Sequence, residues 1–380
     1  MNVSSHVPAR LGAYYFVYFT YVGAFVPYFS LWLAAQGYGA AQIALVLAMP
    51  QTARIFAPTL WGWLADHTGR QREVVILSAL AAAAGFASLF VVRGAVEMAL
   101  VLFLMSAFSA GAMPLVEATT LAALRGGAGN YGPIRMWGSI GFILAVLGTG
   151  VWLDRAGVGQ VLPIIFGLAL LVCVAAFGIP AGTPHEAERG GERILSVLWR
   201  ADVIALIAAG MCMAVAHGAL YAFYSIYLED AGYSKSVIGA LWTLGVVAEV
   251  VVFLRLPQLM RRFSLRVLLI ASFGCAAVRF LAIGWGVEWI ALLAAAQLLH
   301  AATFGAYHAA SIAAVHRLFP GRIAGRGQAL FSSLSYGLGG AIGTLLAGWS
   351  WMALGPSYSF AVSALFAAGG ALLVAWKVRV

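Results

Sequence analysis

Apolar runs of roughly twenty residues, separated by short polar stretches, repeat from one end of this 380-residue chain to the other. A helix rises about 1.5 Å per residue and a hydrocarbon core is about 30 Å thick, so each run is long enough to span a bilayer. The runs lack the alternation of barrel strands and read as helices. Twelve are predicted: 11–35, 42–65, 74–92, 98–123, 134–153 and 161–179, then 203–228, 237–256, 267–285, 289–315, 329–349 and 359–376. The long polar stretch between the sixth and seventh, with Pro180, Pro184, Gly190, Gly191, three Glu and three Arg, reads as a linker. The expected organisation is an all-α membrane protein of twelve transmembrane helices, with one six-helix bundle over 1–179, a linker over 180–202 and a second bundle over 203–380.

Composition agrees. With 63% hydrophobic and 9% charged residues and a mean hydropathy of +0.94, a water-soluble domain has nowhere to hide the apolar surface. The net charge of +9 sits mostly in alternate loops. Sixteen of the 22 Lys and Arg fall on one side, Arg93, Arg155 and Lys235 on the other, and three within the runs, so the expectation is that both termini are cytoplasmic. The charge reflects membrane orientation and implies no nucleic-acid partner. The first run is too long for a signal-peptide core and is expected to stay as a helix. Cys173, Cys212 and Cys275 lie in apolar runs without metal spacing and read as packing residues. There is no nucleophile beside a base, no HExxH, no CxxC and no Gly-rich phosphate loop, so neither an enzyme, a resident cofactor nor a metal is expected.

The hairpin GWLADHTGRQR, residues 62–72, is a charged turn between two long apolar runs. Gly62 allows close approach of a neighbouring helix, Gly69 can supply a positive φ, and Asp66 can face a helix N-terminus or the guanidiniums of Arg70 and Arg72. These residues resemble the loop between the second and third helices of the major facilitator superfamily of transporters. The halves also look duplicated: GSIGFILAVLGTGVW, residues 138–152, and GLGGAIGTLLAGWSW, residues 337–351, share glycine spacing and a terminal Trp in the fifth helix of each half. A parallel pair of six-helix bundles is what that resemblance implies.

Ionisable residues inside the runs carry the candidate chemistry: Arg54, Glu117, Arg135, Glu249, Arg279, His300 and His308. A charge in hydrocarbon is costly, so such residues pair or line a wet path. Glu249, Arg279 and His300 lie about twelve residues into consecutive helices and are expected at one depth near mid-membrane, where a proton can be shared according to whether an anion occupies the arginine. A static Glu249–Arg279 pair locking two helices is the plainer alternative. Glu117 and Arg135 are expected to pair near the inner face, and Arg54, between Pro50 and Pro58, to turn its fork to carbonyls freed by the prolines. The aromatic stripe Tyr14, Tyr15, Tyr18, Tyr21 and Phe25 lines one face of the first helix, with Tyr21 a candidate substrate contact. His217, beside Tyr221 and Tyr224, is a possible lining residue.

The segment NYGPIRMWGSIG, residues 130–141, resembles helix five of lactose permease type proton symporters. That resemblance implies substrate binding by Arg135 with Glu117, and coupling by Glu249, Arg279 and His300. The acid expected one turn after the histidine is absent, with Thr303 and Phe304 there, which leaves Glu249 as the proton carrier. LWTLGVVAEVVVF (241–253), QLLHAATF (297–304) and YLEDAGY (227–233) resemble the phenylpropionate permease family. The expected function is proton-gradient-driven symport of a small aromatic or organic monocarboxylate such as 3-phenylpropionate, by a monomer in the bacterial inner membrane. Three arginines against two carboxylates and 13% aromatic residues suit an aromatic monoanion. A sugar or nucleoside symporter, and a non-transporting receptor or assembly factor on the same scaffold, are the alternatives.

Overall fold

The computed structural model of the chain describes residues 7–124, 131–180 and 194–378. Most of the expected linker, 181–193, and the segment 125–130 before Tyr131 lie outside the described residues. The helices are α1 (Val7–Ala35), α2 (Ala40–Ala53), α3 (Ala57–Thr68), α4 (Gln71–Ser88), α5 (Ala95–Ser109), α6 (Ala112–Ala123), α7 (Tyr131–Ala156) and α8 (Val161–Phe177). After them come α9 (Ile194–Leu198), α10 (Ala201–Ala216), α11 (Gly218–Asp230), α12 (Lys235–Arg262), α13 (Leu265–Trp285), α14 (Ile290–Leu298), α15 (Tyr307–Leu318), α16 (Ala324–Ser332), α17 (Gly340–Leu354) and α18 (Pro356–Lys377).

Among the described residues, eleven helical segments are long and apolar enough to cross a membrane. The remaining predicted span is α4, whose first turn, Gln71, Arg72 and Glu73, is polar and shortens its apolar part. Several spans that read as continuous are interrupted. Pro58 and Pro114 have no N–H for the carbonyls of Arg54 and Ala110, four residues earlier, and the breaks between α2 and α3 and between α5 and α6 fall there. The break between α10 and α11 falls at His217, whose Nδ1 and backbone N–H share the Met213 carbonyl at 2.9 and 3.2 Å. Two π-helical turns, Ala301–Ala306 and Ser333–Gly339, widen the last two long spans before α18.

The chain forms two compact units. The first takes residues 7–38, 56–180 and 234–239 of the described chain, with α1 packed against α7 and α8, and α4 against α5 and α8. A Cβ on Gly23 of α1 would meet Phe142 O of α7 at 2.7 Å, and Gly141 of α7 lies against Phe16 O of α1, so the backbones touch where side chains are missing. The second unit takes 39–55, 194–233 and 240–378, with α13 and α10 packed on α18 and α17 on α2 and α11. Here Gly218 of α11 and Gly343 of α17 make the same kind of contact, Gly343 also lying against Val215. The crossing of first and fifth helices thus recurs in both halves, in the segments whose glycine spacing matches.

The 62–72 hairpin departs from expectation in part. Gly69 ends α3 with φ +68°, the left-handed turn anticipated. A Cβ built on Gly62 would meet no atom within 4 Å, so no close helix approach depends on that glycine. Arg72 donates to Phe177 O at 2.9 Å, capping the carbonyl end of α8 in place of the expected pairing with Asp66, which stays exposed with Arg70 at the turn.

Candidate functional site

Arg279, on α13, is 1% exposed. Its Nη1 donates to Thr303 Oγ1 and its Nη2 to Gln297 Oε1, both at 3.0 Å. Gln297 and Thr303 stand three residues on either side of His300, so the face that presents the imidazole also presents both acceptors. Thr303 donates its own hydroxyl to His300 O at 3.3 Å, which leaves its lone pairs for the guanidinium. On α12, Glu249 Oε2 lies 3.6 Å from His300 Nε2. A Cβ on Gly245, one turn before Glu249, would sit 3.2 Å from His300 Cβ, so a small residue there lets α12 come close. The imidazole stacks on Phe304 at 5.3 Å between centroids, Phe304 stacks on His308 at 6.0 Å, and His308 Nδ1 is 3.1 Å from the Tyr336 hydroxyl.

The expected trio therefore lies together, with one difference. The hydrogen bonds of Arg279 run to two neutral oxygens, and the carboxylate of Glu249 approaches the imidazole. A guanidinium buried among neutral acceptors has its directional bonds partly met while its charge remains to be balanced, an arrangement suited to an anion. Gln297 was missed by sequence reasoning and Thr303 was read only as a lost acid. Both sat one turn from His300, which was the available signal.

Aromatic rings from α11, α12 and α13 pack together beside Arg279. His217 stacks on Tyr221 at 5.9 Å and meets Phe280 edge-on at 5.2 Å, Tyr221 stacks on Trp242 at 6.1 Å, and Trp242 Nε1 donates to Ser225 at 3.0 Å. The Arg279 guanidinium carbon is 5.7 Å from the Phe280 ring centre.

In the first unit, the Arg135 guanidinium sits 4.1 Å above the ring of Phe19 and 5.7 Å from that of Tyr15, a cation–π seat on α1. Glu117, half-buried on α6, interacts with the Tyr131 hydroxyl and with the charge of Arg135. Tyr21 is packed in an aromatic cluster with Tyr18, Phe25 and Phe86, at 6.1, 6.1 and 5.6 Å. Arg54 corrects its expectation. It lies exposed at the break after α2, donates to the Gln51 side chain at 3.2 Å in place of the freed carbonyls, and stands close enough to Tyr221 for its charge to act there.

Among the described residues, apolar helices long enough to span a membrane bury a few ionisable side chains. The MFS_1 like family model matches residues 9–362, and the chain belongs to that family, within the major facilitator superfamily of secondary transporters. It is a multi-pass membrane transporter and not an enzyme.

A probable 3-phenylpropionic acid transporter of Escherichia coli (strain K12) is 32% identical over 357 residues, covering 90% of this chain and 90% of that protein. A maltose permease of Geobacillus stearothermophilus is 27% identical over 343 residues, covering 88% and 86%. Among solved structures, a variant of the nucleoside transporter NupG superposes with a TM-score of 0.88 at 15% identity, covering 98% of this chain and 100% of that one. A D-xylose-proton symporter superposes with a TM-score of 0.72 at 15% identity, covering 98% and 97%. At these identities the superpositions establish the fold alone.

Proposed function

We propose that the protein is a proton-coupled symporter of a small aromatic or other organic monocarboxylate, working by alternating access in the bacterial inner membrane as a monomer with cytoplasmic termini. The observation that carries the reading is the buried Arg279, bonded to neutral Gln297 and Thr303 one turn either side of a histidine that faces Glu249. An anion at Arg279 raises the local negative charge and favours a proton on the Glu249–His300 pair, so substrate and proton load together. In the first unit, Arg135, Glu117 and Tyr21 are the proposed substrate contacts, and in the second Arg54 and Arg279, with Gly62, Asp66, Gly69, Arg70 and Arg72 shaping the conformational hairpin. The similarity to a probable 3-phenylpropionic acid transporter supports 3-phenylpropionate as the first substrate to test.

The test is uptake of radiolabelled 3-phenylpropionate into proteoliposomes, with and without an inward proton gradient. Gradient-driven accumulation is expected. Uptake that ignores the gradient removes the coupling, and no uptake by folded protein removes the substrate. The similarity to a maltose permease supports a sugar as the second reading, tested by the same assay with labelled maltose.

A further inference from the structure

Five polar groups around Arg279 are buried without a close hydrogen-bond partner, Arg279 Nε, Gln297 Nε2, His217 Nε2, His300 Nδ1 and the Tyr224 hydroxyl, with Tyr224 and Gln297 in longer contact with each other. Their residues are 1%, 2%, 5%, 7% and 0% exposed. His217 and Tyr224 are seven residues apart, two turns on one face of the α10–α11 span. His217 and Arg279 both contact the ring of Phe280.

The hydrogen-bonding sense of two of these groups is forced. A backbone carbonyl only accepts, so the 2.9 Å contact of His217 Nδ1 with Met213 O places the proton on Nδ1 and leaves Nε2 of the neutral ring as a bare acceptor. An arginine only donates, so the Gln297 oxygen faces Arg279 and its NH2 is turned away as a donor, with the Tyr224 hydroxyl beside it. The set thus offers donors from Arg279 and Gln297, an acceptor from His217, a second ring nitrogen from His300, and a Tyr224 hydroxyl beside the Gln297 amide. A carboxylate supplies acceptors alone. It meets the donors and leaves the His217 lone pair buried and unmatched, which is the arrangement a binding site avoids.

We infer that His217 is a specificity-determining residue which reads a hydrogen-bond donor on the transported acid, so that the preferred substrate carries a hydroxyl group as well as a carboxylate. The inference rests on the monocarboxylate reading above and narrows it. The carboxylate goes to Arg279 and Gln297, and the hydroxyl donates to His217 Nε2, with Tyr224 able to join either end.

The experiment is competition against labelled 3-phenylpropionate uptake in proteoliposomes by unlabelled 3-phenylpropionate and its 2-, 3- and 4-hydroxyphenyl analogues. The wild type is expected to favour at least one hydroxylated isomer over the bare acid by about tenfold, the factor that the net gain of one hydrogen bond supplies. His217→Phe keeps a ring against Tyr221 and Phe280 but no acceptor, and is expected to bring that ratio close to one. His217→Gln, which restores an acceptor oxygen, is expected to recover part of it. A wild type that takes all four acids alike overturns the inference without any variant being needed. A His217→Phe protein that keeps the wild-type ratio overturns it as well. If the folded wild type neither transports nor is inhibited by any of the acids, the monocarboxylate reading falls and this inference with it.

Discussion

His300 Nε2 lies 3.6 Å from Glu249 Oε2, and the two side chains that hold the Arg279 guanidinium, Gln297 and Thr303, stand one turn before and one turn after that histidine. A single helical face therefore carries the acceptors of a buried cation and the neighbour of a carboxylate. The imidazole stands between the side chains that hold the guanidinium and the carboxylate.

Replacing Glu249 with Gln keeps the shape and removes the titratable proton. Glu249→Gln is expected to lower gradient-driven accumulation by tenfold or more while preserving exchange of preloaded substrate. Uptake and counterflow measured on one proteoliposome preparation separate the two, and normal accumulation by the variant would remove Glu249 as the carrier.

Arg279→Lys keeps the charge but loses the two-pronged fork that reaches Thr303 and Gln297 at once. An increase in KM of about tenfold is expected from the loss of one charge-assisted hydrogen bond worth about 1.5 kcal/mol. Initial-rate uptake across a range of substrate concentrations checks it. An unchanged KM would mean the cation is held for folding alone.

The carboxylate of Asp154, at the end of α7, accepts from the backbone N–H groups of Lys235 and Ser236 at 2.7 and 2.9 Å and from the Ser236 hydroxyl. It meets amides that the first turn of α12 leaves open and sits at the positive end of that helix. Asp154→Ala is expected to cost about 1 kcal/mol, as loss of a helix cap does, and Asp154→Asn less. Thermal unfolding in detergent reads the order wild type, Asn, Ala.

Gly23 is placed where a methyl group would meet the Phe142 carbonyl of α7 at 2.7 Å, and Gly343 where one would meet the Val215 backbone of the α10 end at 2.6 Å. Gly23→Ala and Gly343→Ala are each expected to destabilise by about 1–3 kcal/mol through overpacking. Gly62→Ala, with open space around the site, is the matched control. A melting point for Gly62→Ala that falls as far as the other two would contradict this account of the crossings.

Much of the candidate site was legible in the residues. Counting about 1.5 Å per residue from each loop puts Glu249, Arg279 and His300 at one depth, because a spanning helix converts sequence position into height. Which of them touch depends on rotation about each helix axis and on rotamers, and that is set by packing. Gln297 and Thr303 illustrate the gap: uncharged, they carry no cost in an apolar run that would draw notice, yet they hold the guanidinium. Arg54 illustrates the converse, since its charge stood out in the sequence while its hydrogen bond goes to the Gln51 side chain instead of the expected carbonyls.

What the sequence alone determined is the class of protein: spans, loops, a duplicated glycine pattern and a few charges that hydrocarbon penalises. These are local or compositional quantities, and the bilayer's thickness and polarity convert them directly into structure. The tertiary structure decided what no local pattern holds: the partner of each buried charge, the interruptions at His217 and after His300, and the one available sense of the His217 and Gln297 hydrogen bonds. Those depend on atoms from helices far apart in the chain arriving within about 3 Å of one another, a distance at which hydrogen bonding discriminates between neighbours that sequence spacing treats alike.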